Sequence, residues 1–500
     1  MSYLTVPEAV LAAAERFGNR PALLSEAGTE SFSELAGRVA GVAEALGDAG
    51  LVAGERVLLV AENSAATVHA WLGAMHAGAV PAAVNPGLTE VELGHLAADL
   101  QPRLVIHDSG SAGSTARLDL PAQALEGLDR GIGKVQPRRP DPVSAAAVVY
   151  TSGTTSRPKG VMVRHAAYTE SGRSFPGWIG LGPKERLWAC LPLFHINAQA
   201  YSLMSALMHG YGLVISQRFH ASTFWEEARG LEVTAVNVIG AMLTFLARQP
   251  EETWRVSPLR TIYAAPAPAP DERRALEDRF RVRITGGYGM SENTFGCAES
   301  PTSRDKAGSI GRPRQPASGA FRNELRIVTE SGAEAAPGEP GELRFRNPVM
   351  TPGYWNAEDV TAQTLAGGWL HTGDAGYRDS DGDVFLVGRL KEMIRRRGEN
   401  ISPAEIEEAL LSHPAVAAAA VFGVPSEVTE EEVVAAVVLL PDASVDQDEL
   451  RAFARHRLAA FKVPNAIVFK DSLPMTATMR VARDALRAEY LRSHSPPTAP

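Results

Sequence analysis

One stretch of the sequence decides the fold: Thr151-Ser152-Gly153-Thr154-Thr155-Ser156-Arg157-Pro158-Lys159-Gly160. It follows the apolar run 145–150, which has the composition of a buried strand. Backbone N–H groups and small hydroxyls in such a loop can surround a phosphate chain, and Lys159 adds a positive charge. The order of lysine and glycine differs from the Walker pattern. An ordinary polar turn is the alternative, and for a cluster of Gly, Ser and Thr residues taken by itself that turn is favoured.

The composition is typical of a soluble globular enzyme. A chain of 500 residues with 45% hydrophobic content is expected to form at least two domains. A net charge of -9 argues against an extended nucleic-acid surface. We expect neither a membrane span nor a signal peptide, since long apolar runs and a basic N-terminal region are missing. The two cysteines, Cys190 and Cys297, form no disulfide framework, which favours a reducing cytoplasm. The Ala- and Arg-rich usage is typical of a bacterial protein.

Strand and helix patterns alternate along the N-terminal part. Helices are predicted at 7–14, 33–46 and 65–77, and strands at 56–60 and near Val80. Further strands are expected at 145–150 and 233–239, and another at 261–268 that runs into small residues. This alternation predicts parallel sheets covered by helices on both faces.

A second glycine-rich stretch carries chemistry: Gly286-Gly287-Tyr288-Gly289-Met290-Ser291-Glu292. Glycines permit close approach of the backbone to a ligand. Glu292 offers hard oxygen ligands of the kind that Mg²⁺ prefers beside a triphosphate. A solvated surface carboxylate is the alternative for Glu292 alone.

These segments resemble the adenylate-forming superfamily, which includes acyl-CoA synthetases, aryl-CoA ligases, luciferases and the adenylation domains of peptide synthetases. Its phosphate-loop pattern is T-S-G-T-T-G-x-P-K-G, from which this chain departs only at Ser156. Matches extend over roughly residues 10–490. The resemblance implies an α/β fold: a large N-terminal domain of parallel and mixed sheets covered by helices, residues 1–388, and a small mobile α+β C-terminal lid, residues 389–492. A disordered tail is expected at 493–500.

The resemblance also implies a nucleotide site. The turn of small residues that ends the stretch 261–268 would hold adenine, although a plain Pro-rich loop is the alternative. Tyr288 would stack on adenine, Ser291 would reach the α-phosphate, Asp374 would accept from both ribose hydroxyls, and Glu292 would bind Mg²⁺. The full predicted set is Thr151, Ser152, Gly153, Thr154, Thr155, Lys159, Ala264, Ala265, Pro266, Gly287, Tyr288, Gly289, Met290, Ser291, Asp374 and Arg389.

Other family positions map to the acyl and CoA sites. His195, in Pro192-Leu193-Phe194-His195, would lie between the acyl pocket and the pantetheine entrance, with a core or capping histidine as the alternative. Asn237, Val238 and Gly286 would line the acyl pocket, whose mostly small apolar residues suit a bulky hydrophobic acid. Lys391 would be the hinge of the lid. CoA contacts are assigned to Arg395, Arg397 and Gly398, although an arginine run is usually a solvated face.

Three local patterns have mainly architectural interpretations. Residues 353–355 match a family turn. Residues 379–383 carry several Asp residues but fit a hairpin turn better than a calcium loop. Ser402, Pro403 and Glu405 form the pattern of a helix N-cap with a capping box.

The resemblance fails at Leu473-Pro474-Met475-Thr476-Ala477-Thr478-Met479-Arg480-Val481, where the family has L-P-x-T-x-T-G-K-V. Met479 replaces glycine, and Arg480 replaces the catalytic lysine that bridges the acyl carboxylate and the α-phosphate. Arg keeps the charge but is broader and planar. Loss of one preorganised donor typically costs ~3–4 kcal/mol.

We therefore expect an acyl-CoA ligase that binds nucleotide well, adenylates its acid weakly or not at all, and transfers a preformed acyl-AMP to CoA. His195, Glu292 and Arg480 are the predicted catalytic residues. The expected ligands are ATP or acyl-AMP, coenzyme A, a carboxylic acid and, if adenylation occurs, Mg²⁺; a separate adenylating enzyme is a possible partner. The alternatives are a complete ATP-dependent two-step acyl- or aryl-CoA ligase and a non-catalytic adenylate-binding relative.

Overall fold

The computed structural model describes residues 3–25, 28–151, 158–250, 254, 257–300, 303–396, 399–426, 430–476 and 480–494. The chain divides into two compact units. The first unit comprises Met1–Leu325, Arg344–His371 and Asp381–Val384, and the second comprises Arg326–Leu343, Thr372–Ser380 and Phe385–Pro500. The domain boundary predicted between residues 388 and 389 stays a prediction.

The first unit contains most of the helices. In chain order they are α1 (Val6–Phe17), α2 (Phe32–Asp48), α3 (Ala65–His76), α4 (Glu90–Leu100), α5 (Ala112–Thr115), α6 (His165–Ile179), α7 (Met204–His209), α8 (Phe224–Gly230), α9 (Gly240–Ala247), α10 (Pro270–Phe280) and α11 (Glu358–Thr364). A π-helical segment, Ala198–Leu203, runs directly into α7. Capping boxes begin α1, α2 and α4, so the sequence itself sets where these helices start.

The strands of the first unit form two sheets and a separate hairpin. They are β1 (Pro21–Ser25), β2 (Gly28–Ser31), β3 (Arg56–Val60), β4 (Val80–Val84), β5 (Leu104–His107), β6 (Ala122–Ala124), β7 (Ala145–Thr151), β8 (Lys159–Arg164), β9 (Arg186–Ala189), β10 (Gly212–Ile215), β11 (Ala235–Val238), β12 (Thr261–Ala264), β13 (Arg283–Met290), β14 (Asn293–Ala298) and β15 (Ser309–Pro313). The larger sheet has the order β15-β14-β13-β12-β11-β9-β10-β1-β2, and the smaller has the order β4-β3-β5-β6.

The larger sheet is mixed. Its central strands, from β13 through β1, pair in parallel, whereas β2, β14 and β15 pair antiparallel with their neighbours. The smaller sheet is parallel throughout. Buried side chains fill the space against the helices, with Trp188, Trp225 and Phe175 among the largest. The predicted α/β class with parallel and mixed sheets is confirmed.

Four strands carry residues of both units: β16 (Glu324–Val328), β17 (Gly341–Arg346), β18 (Leu370–Arg378) and β19 (Val384–Arg389). The rest of the second unit is β20 (Ile394–Arg396), β21 (Glu399–Ile401), α12 (Pro403–Leu411), β22 (Val416–Ser426), β23 (Glu430–Leu439), α13 (Gln447–Arg455), β24 (Ala466–Phe469) and α14 (Arg483–His494). A sheet of order β21-β20-β23-β22, with β24 on β23, packs its apolar side chains against α12 and α13. This α+β part confirms the predicted second architecture.

The capping box predicted at Ser402 is wrong. Its hydroxyl donates to the carbonyl of Val387 at 2.5 Å and makes no cap hydrogen bond. Glu405 pairs instead with Nζ of Lys462 at 2.6 Å. Helix α12 still begins at Pro403, because the fixed φ of proline suits the first helical turn.

Residues 379–383 connect β18 to β19, with Gly382 at a φ of 90°. The buried carboxylate of Asp383 pairs with Nζ of Lys306 at 2.7 Å and with Nε of Arg312 at 2.8 Å. Both oxygens of this carboxylate, which a calcium loop would use as a ligand, are therefore paired with protein cations. The tail predicted from residue 493 begins inside α14, and residues 495–500 lie outside the described part of the chain.

None of the helices in the described ranges has the length and apolar character that a membrane crossing needs.

A buried histidine joins the start of α1 to the start of α6. Nδ1 of His165 accepts the backbone N–H of Val6 at 3.3 Å, and the ring is 3% exposed. Burial lowers the pKa of His165 to about 4, with a smaller opposing effect from Glu8. The unfolded chain therefore takes up a proton here between pH 6.5 and 4 that the folded chain excludes. Stability from the neutral ring is lost as the pH falls through this window.

We predict that His165→Asn flattens the acid side of the stability profile, because an amide oxygen can accept from Val6 without titrating. The drop in unfolding free energy between pH 7 and pH 5 should be about 2 kcal/mol smaller than in the unaltered protein. Urea unfolding at both pH values measures it. An unchanged drop would show that His165 does not exclude a proton in the folded state.

Candidate nucleotide and acyl site

Several predicted site residues lie outside the described residues. They are Ser152, Gly153, Thr154 and Thr155 of the phosphate loop and Arg397 and Gly398 of the CoA set, together with the substituted Met479. Their assignments stay predictions. The remaining predicted residues fall in the two units, each of which holds its own group of side chains.

The phosphate loop closes an antiparallel hairpin. Strands β7 and β8 pair with Thr151 opposite Lys159 at the end from which the loop leaves. No partner was predicted for β7; it pairs antiparallel with β8, because the short connection between them cannot make the crossover that a parallel pair requires. The hairpin therefore holds Thr151 and Lys159, the two predicted phosphate ligands at the base of the loop, opposite each other on neighbouring strands.

A strap, residues 351–355, runs beside β8 and connects it to the end of the second glycine-rich stretch. The N–H of Trp355 donates to the carbonyl of Gly160 at 2.7 Å, and the N–H of Met162 donates to the carbonyl of Gly353 at 3.1 Å. The N–H of Thr351 donates to the carbonyl of Glu292 at 2.8 Å. The backbone of the strap thereby fixes the lysine strand relative to Glu292.

Tyr354, in this strap, contacts both charged residues. Its hydroxyl donates to Oε1 of Glu292 at 2.8 Å, and Nζ of Lys159 lies 5.6 Å from the centroid of its ring. Tyr354 and Glu292 are both buried at 8% exposure. Within the part of the chain that the structure describes, Oε2 of Glu292 receives no hydrogen bond. A cation suited to phosphate and a carboxylate with a spare oxygen thus lie against one aromatic ring.

This donor set fits a magnesium ion that a nucleotide brings with it. Among the described residues there is no group of three or more His, Cys, Asp or Glu side chains able to hold a metal by themselves. Mg²⁺ in nucleotide sites usually takes one or two carboxylates, with phosphate oxygens and water completing the shell. Glu292 supplies one such carboxylate.

Strand β13 carries the predicted glycines, and neighbouring protein atoms require two of them. A Cβ on Gly286 would lie 2.7 Å from Cβ of Ala267, and one on Gly287 would lie 2.5 Å from the hydroxyl of Tyr263. The N–H of Gly286 donates to Oε2 of Glu299 at 2.5 Å. The glycines therefore let Ala267 and Tyr263 approach the strand closely, a reason that the sequence did not indicate.

Glu299 is itself held by a buried ion pair. Its Oε1 lies 2.5 Å from Nη1 of Arg273, and both side chains are almost fully buried. Arg273 belongs to α10, which follows the predicted adenine turn. The pair fixes the backbone of Gly286 by a charge-assisted hydrogen bond.

The predicted adenine-binding residues lie at the ends of β12 and β13. Ala264 ends β12, and the N–H of Ala265 donates to the carbonyl of Val238 at 3.4 Å. The half-buried ring of Tyr288 stacks on Phe345 with centroids 6.2 Å apart and planes at 17°. One face of Tyr288 is therefore packed against protein.

The predicted acyl residues differ in what they can still bind. His195 is half-buried, with its ring tilted over Phe194 at 4.6 Å between centroids. Asn237 is buried, and its Nδ2 donates to Oδ1 of Asn197 at 2.9 Å and to Oγ of Ser202 at 3.1 Å. The amide donors of Asn237 are thus already engaged by the chain.

In the second unit, two predicted nucleotide ligands pair with each other. Nε of Arg389 lies 2.7 Å from Oδ1 of Asp374, which is buried, and the N–H of Asp374 donates to Oγ1 of Thr372 at 3.0 Å. The hydroxyl of Thr372 in turn donates to the carbonyl of Leu343. The carboxylate predicted to hold ribose is thereby fixed in place by its own strand and by Arg389.

Arg480 lies in a tight hairpin of the second unit. The N–H of Arg480 donates to Oγ1 of Thr476 at 3.1 Å, and the N–H of Thr476 donates to the carbonyl of Arg480 at 2.6 Å. Met475 and Val481 form an antiparallel β-bridge. The side chain of Arg480 is exposed.

The hairpin is tied to the predicted hinge. Arg483, just after it, donates to Oε2 of Glu392 at 3.1 Å and to Glu407 at 2.9 Å. Glu392 follows the exposed Lys391 in one 3₁₀ turn, Leu390–Glu392. Arg395, also exposed, is held through its N–H by Glu431 at 2.9 Å.

Sequence reasoning missed Tyr354, because its motif has an architectural interpretation and its two partners come from other motifs. It also missed the pair of Arg273 and Glu299, whose residues belong to no quoted motif. The one signal that the sequence offered for Tyr354 was its position directly after the glycine of a family turn.

We predict that Tyr354→Phe weakens the binding of Mg²⁺ together with ATP, because Glu292 becomes free to rotate. Loss of such a supporting hydrogen bond should raise the Mg²⁺ concentration for half-maximal ATP binding about 10-fold. Titration calorimetry with ATP over a Mg²⁺ series measures it. Tyr150→Phe is the matched control, since that buried phenol donates to Oδ2 of Asp99 at 2.7 Å. Equal Mg²⁺ dependence in both variants would contradict a role for Tyr354 at the metal.

Comparison with known proteins identifies the family of the chain. Residues 10–355 match the family described as AMP-binding enzyme, and residues 405–480 match the AMP-binding enzyme C-terminal domain. The sulfoacetate–CoA ligase of Cupriavidus necator is 32% identical over 96% of this chain and 96% of its own length. The 2-succinylbenzoate–CoA ligase of Geobacillus kaustophilus is 34% identical over 92% of this chain and 93% of its own.

A solved structure is also similar over nearly the whole length. The o-succinylbenzoate CoA synthetase of Bacillus subtilis, in complex with its acyl-adenylate intermediate, has a TM-score of 0.89 at 28% identity, covering 97% of this chain and 99% of that one. The predicted resemblance is confirmed: the chain belongs to the AMP-binding enzyme family of the adenylate-forming superfamily, and the relatives described here are named as CoA ligases or CoA synthetases.

Proposed function

We propose that this enzyme is an acyl-CoA ligase that forms thioesters by way of an acyl adenylate and in which adenylation is weak or absent. Its main activity is then transfer of a preformed acyl-AMP to coenzyme A. The observation that carries nucleotide binding is the placing of Lys159 and Glu292 against Tyr354. The relatives named as CoA ligases support the thioester product.

The two half-reactions place different demands on the chain. In adenylation, a carboxylate oxygen of the acid bonds to the α-phosphorus of ATP as the bond to pyrophosphate breaks. Lys159 is placed to hold phosphate charge, and Glu292 would hold Mg²⁺, which neutralises charge on the phosphates when bound. In thioesterification, the sulfur of CoA bonds to the acyl carbon, the bond to AMP breaks, and the thiol proton is lost.

Arg480 bears on the first half-reaction only. The hairpin fixes its backbone, so the difference from a lysine lies in the side chain: a planar guanidinium in place of a compact ammonium. A misplaced donor at a developing charge typically costs roughly 100- to 1,000-fold in rate. Thioesterification needs AMP held by Asp374 and Arg389 and a pivot at Lys391, and those residues match the family.

Further assignments belong to the same proposal. His195 lies at the reaction centre, Ser291 contacts the α-phosphate, and Arg395, Arg397 and Gly398 contact CoA. A separate adenylating enzyme supplies the acyl-AMP. A cytoplasmic location is supported by Cys190 and Cys297, which are buried thiols and not a disulfide.

A complete two-step ligase is the second candidate. The observation in its favour is that Arg480 retains a positive charge on an exposed side chain, while Lys159 and Glu292 both contact Tyr354.

Two assays separate the candidates: pyrophosphate exchange with acid and ATP, and thioester formation from synthetic acyl-AMP and CoA. We expect the unaltered protein to form thioester readily while its exchange is slow. Restoring glycine and lysine together, Met479→Gly with Arg480→Lys, should raise exchange ~100-fold. The thioester rate should stay within about threefold, because that step does not use residue 480.

Arg492→Lys is the matched control, since it makes the same exchange at an exposed position of α14. It should change neither rate. Rapid exchange by the unaltered protein would instead support the complete ligase, and absence of thioester formation with every acyl-AMP would contradict both candidates.

A further inference from the structure

Arg314 follows β15 and is buried without a carboxylate partner. Its side chain is 3% exposed. Nη1 donates to the hydroxyl of Tyr201 at 3.0 Å, and Nη2 donates to the hydroxyl of Tyr263. Nε has no hydrogen-bond acceptor, and no acidic side chain among the residues that the structure describes lies within ion-pair distance. The guanidinium is thus bound by two phenols alone.

An aromatic cage encloses this guanidinium. Its carbon lies 4.8 Å from the ring of Trp178, 5.3 Å from Tyr201 and 5.2 Å from Tyr263. The ring of Phe175 stacks on Tyr201 at 4.8 Å. Contacts of a cation with aromatic faces stabilise it only in part, since removing a charge from water costs more than a few such contacts return.

The charge on Arg314 is not cancelled by Tyr201. Burial alone would lower the pKa of Arg314, but Tyr263 and Tyr201 raise it overall, so the group stays protonated. Burial raises the pKa of Tyr201 to about 12, so this phenol is neutral at physiological pH. Its hydroxyl donates to the carbonyl of Thr294 at 2.8 Å. A net positive charge therefore remains inside the first unit.

Tyr263 is the side chain through which the positive charge of Arg314 can act on a ligand. Its hydroxyl oxygen accepts from Arg314, and its proton finds no acceptor within the described ranges. The hydroxyl lies 2.5 Å from where a Cβ of Gly287 would stand, so it reaches the backbone of β13. The hydroxyl of Tyr201 lies 3.2 Å from the corresponding position of the exposed Gly289. Both phenols thus meet the strand that was predicted to wall the acyl pocket.

We propose that Arg314, with the hydroxyls of Tyr201 and Tyr263, forms an anion subsite at the floor of the acyl pocket. Its ligand is a second acidic group, a carboxylate or sulfonate, at the end of the acid remote from the reacting carboxyl. The inference rests on the proposed function, because it takes the acyl pocket to lie along β13. It also replaces the expectation of a bulky, largely hydrophobic acid by that of a dianionic one.

The names of two relatives agree with this substrate class. Sulfoacetate and 2-succinylbenzoate, which those ligases are named for, each carry a second acidic group. The competing role for Arg314 is structural, as a cross-link between the strand after β15 and the aromatic side chains. The two roles predict opposite effects of removing Arg314 on the stability of the folded chain. Removing a cross-link lowers this stability, whereas removing an uncompensated buried charge raises it.

The test uses the full chain and matched pairs of acids that differ by one acidic group: acetate and sulfoacetate, pentanoate and glutarate, phenylpropanoate and 4-carboxyphenylpropanoate. Titration calorimetry gives the affinity of each, and thermal unfolding without ligand gives stability. We expect the unaltered protein to bind at least one dianionic acid about 10- to 100-fold more tightly than its partner, the range for a hydrogen bond to a charged group.

Arg314→Met should abolish this preference and raise the unfolding midpoint of the ligand-free protein. Arg314→Lys, which keeps the charge, should retain part of the preference. Tyr263→Phe should reduce it about 5- to 10-fold by removing one donor. Tyr211→Phe is the matched control, because that phenol donates to the carbonyl of Gly182 at 2.7 Å and should leave the preference unchanged.

Four outcomes overturn the subsite. In the unaltered protein they are no tighter binding of any dianionic acid than of its partner, and no binding of any acid in the panel. In the variants they are a preference for the dianionic acid that survives in Arg314→Met, and one that survives in Tyr263→Phe but is lost in Tyr211→Phe. Failure of the proposed function is separate from these. It is the absence of thioester formation when binding shows the expected preference, whereas thioester formation without the preference removes the subsite alone.

Discussion

The contact of Tyr354 with both Lys159 and Glu292 is the interaction on which the nucleotide half of the first unit depends. An ammonium and a carboxylate placed side by side would neutralise each other and leave neither for a ligand. The aromatic ring separates them: its face attracts the ammonium, and its hydroxyl occupies one carboxylate oxygen. The strap at 351–355 holds the ring by backbone hydrogen bonds to β8 and to Glu292, so the spacing is set by main-chain geometry.

Charge is buried in this protein in two different ways. Arg273 with Glu299, and Asp383 with Lys306 and Arg312, are paired, and the first of these pairs also fixes the N–H of Gly286. Arg314 is surrounded by phenols and an indole instead. A buried pair pays its desolvation cost within the folded chain, whereas an unmatched cation leaves a cost that an incoming anion can remove. The two arrangements therefore point to structural and ligand-binding roles respectively.

Local patterns predicted the elements well and their pairing less well. Helix α1 was expected at 7–14 and spans Val6–Phe17, because periodicity and capping residues are local signals. The antiparallel partner of β7 was missed, since strand direction depends on the length of a connection as well as on composition. Ser402 has the right residues around it for a capping box, but the carbonyl of Val387 takes its hydroxyl. Tyr354, Arg273 and Arg314 act through partners distant in sequence, and no local pattern marks such contacts.

The hairpin that carries Arg480 is maintained in part by its backbone, since the N–H and the carbonyl of residue 480 both bond to Thr476, and in part by the ion pairs of Arg483. The hydrogen bonds of residue 480 to Thr476 use its main-chain atoms, so they are the same whether this residue is a lysine or an arginine. Under the proposed function, an ancestral ligase could therefore lose its first half-reaction, and a descendant could regain it, by an exchange at residue 480 that keeps these hydrogen bonds.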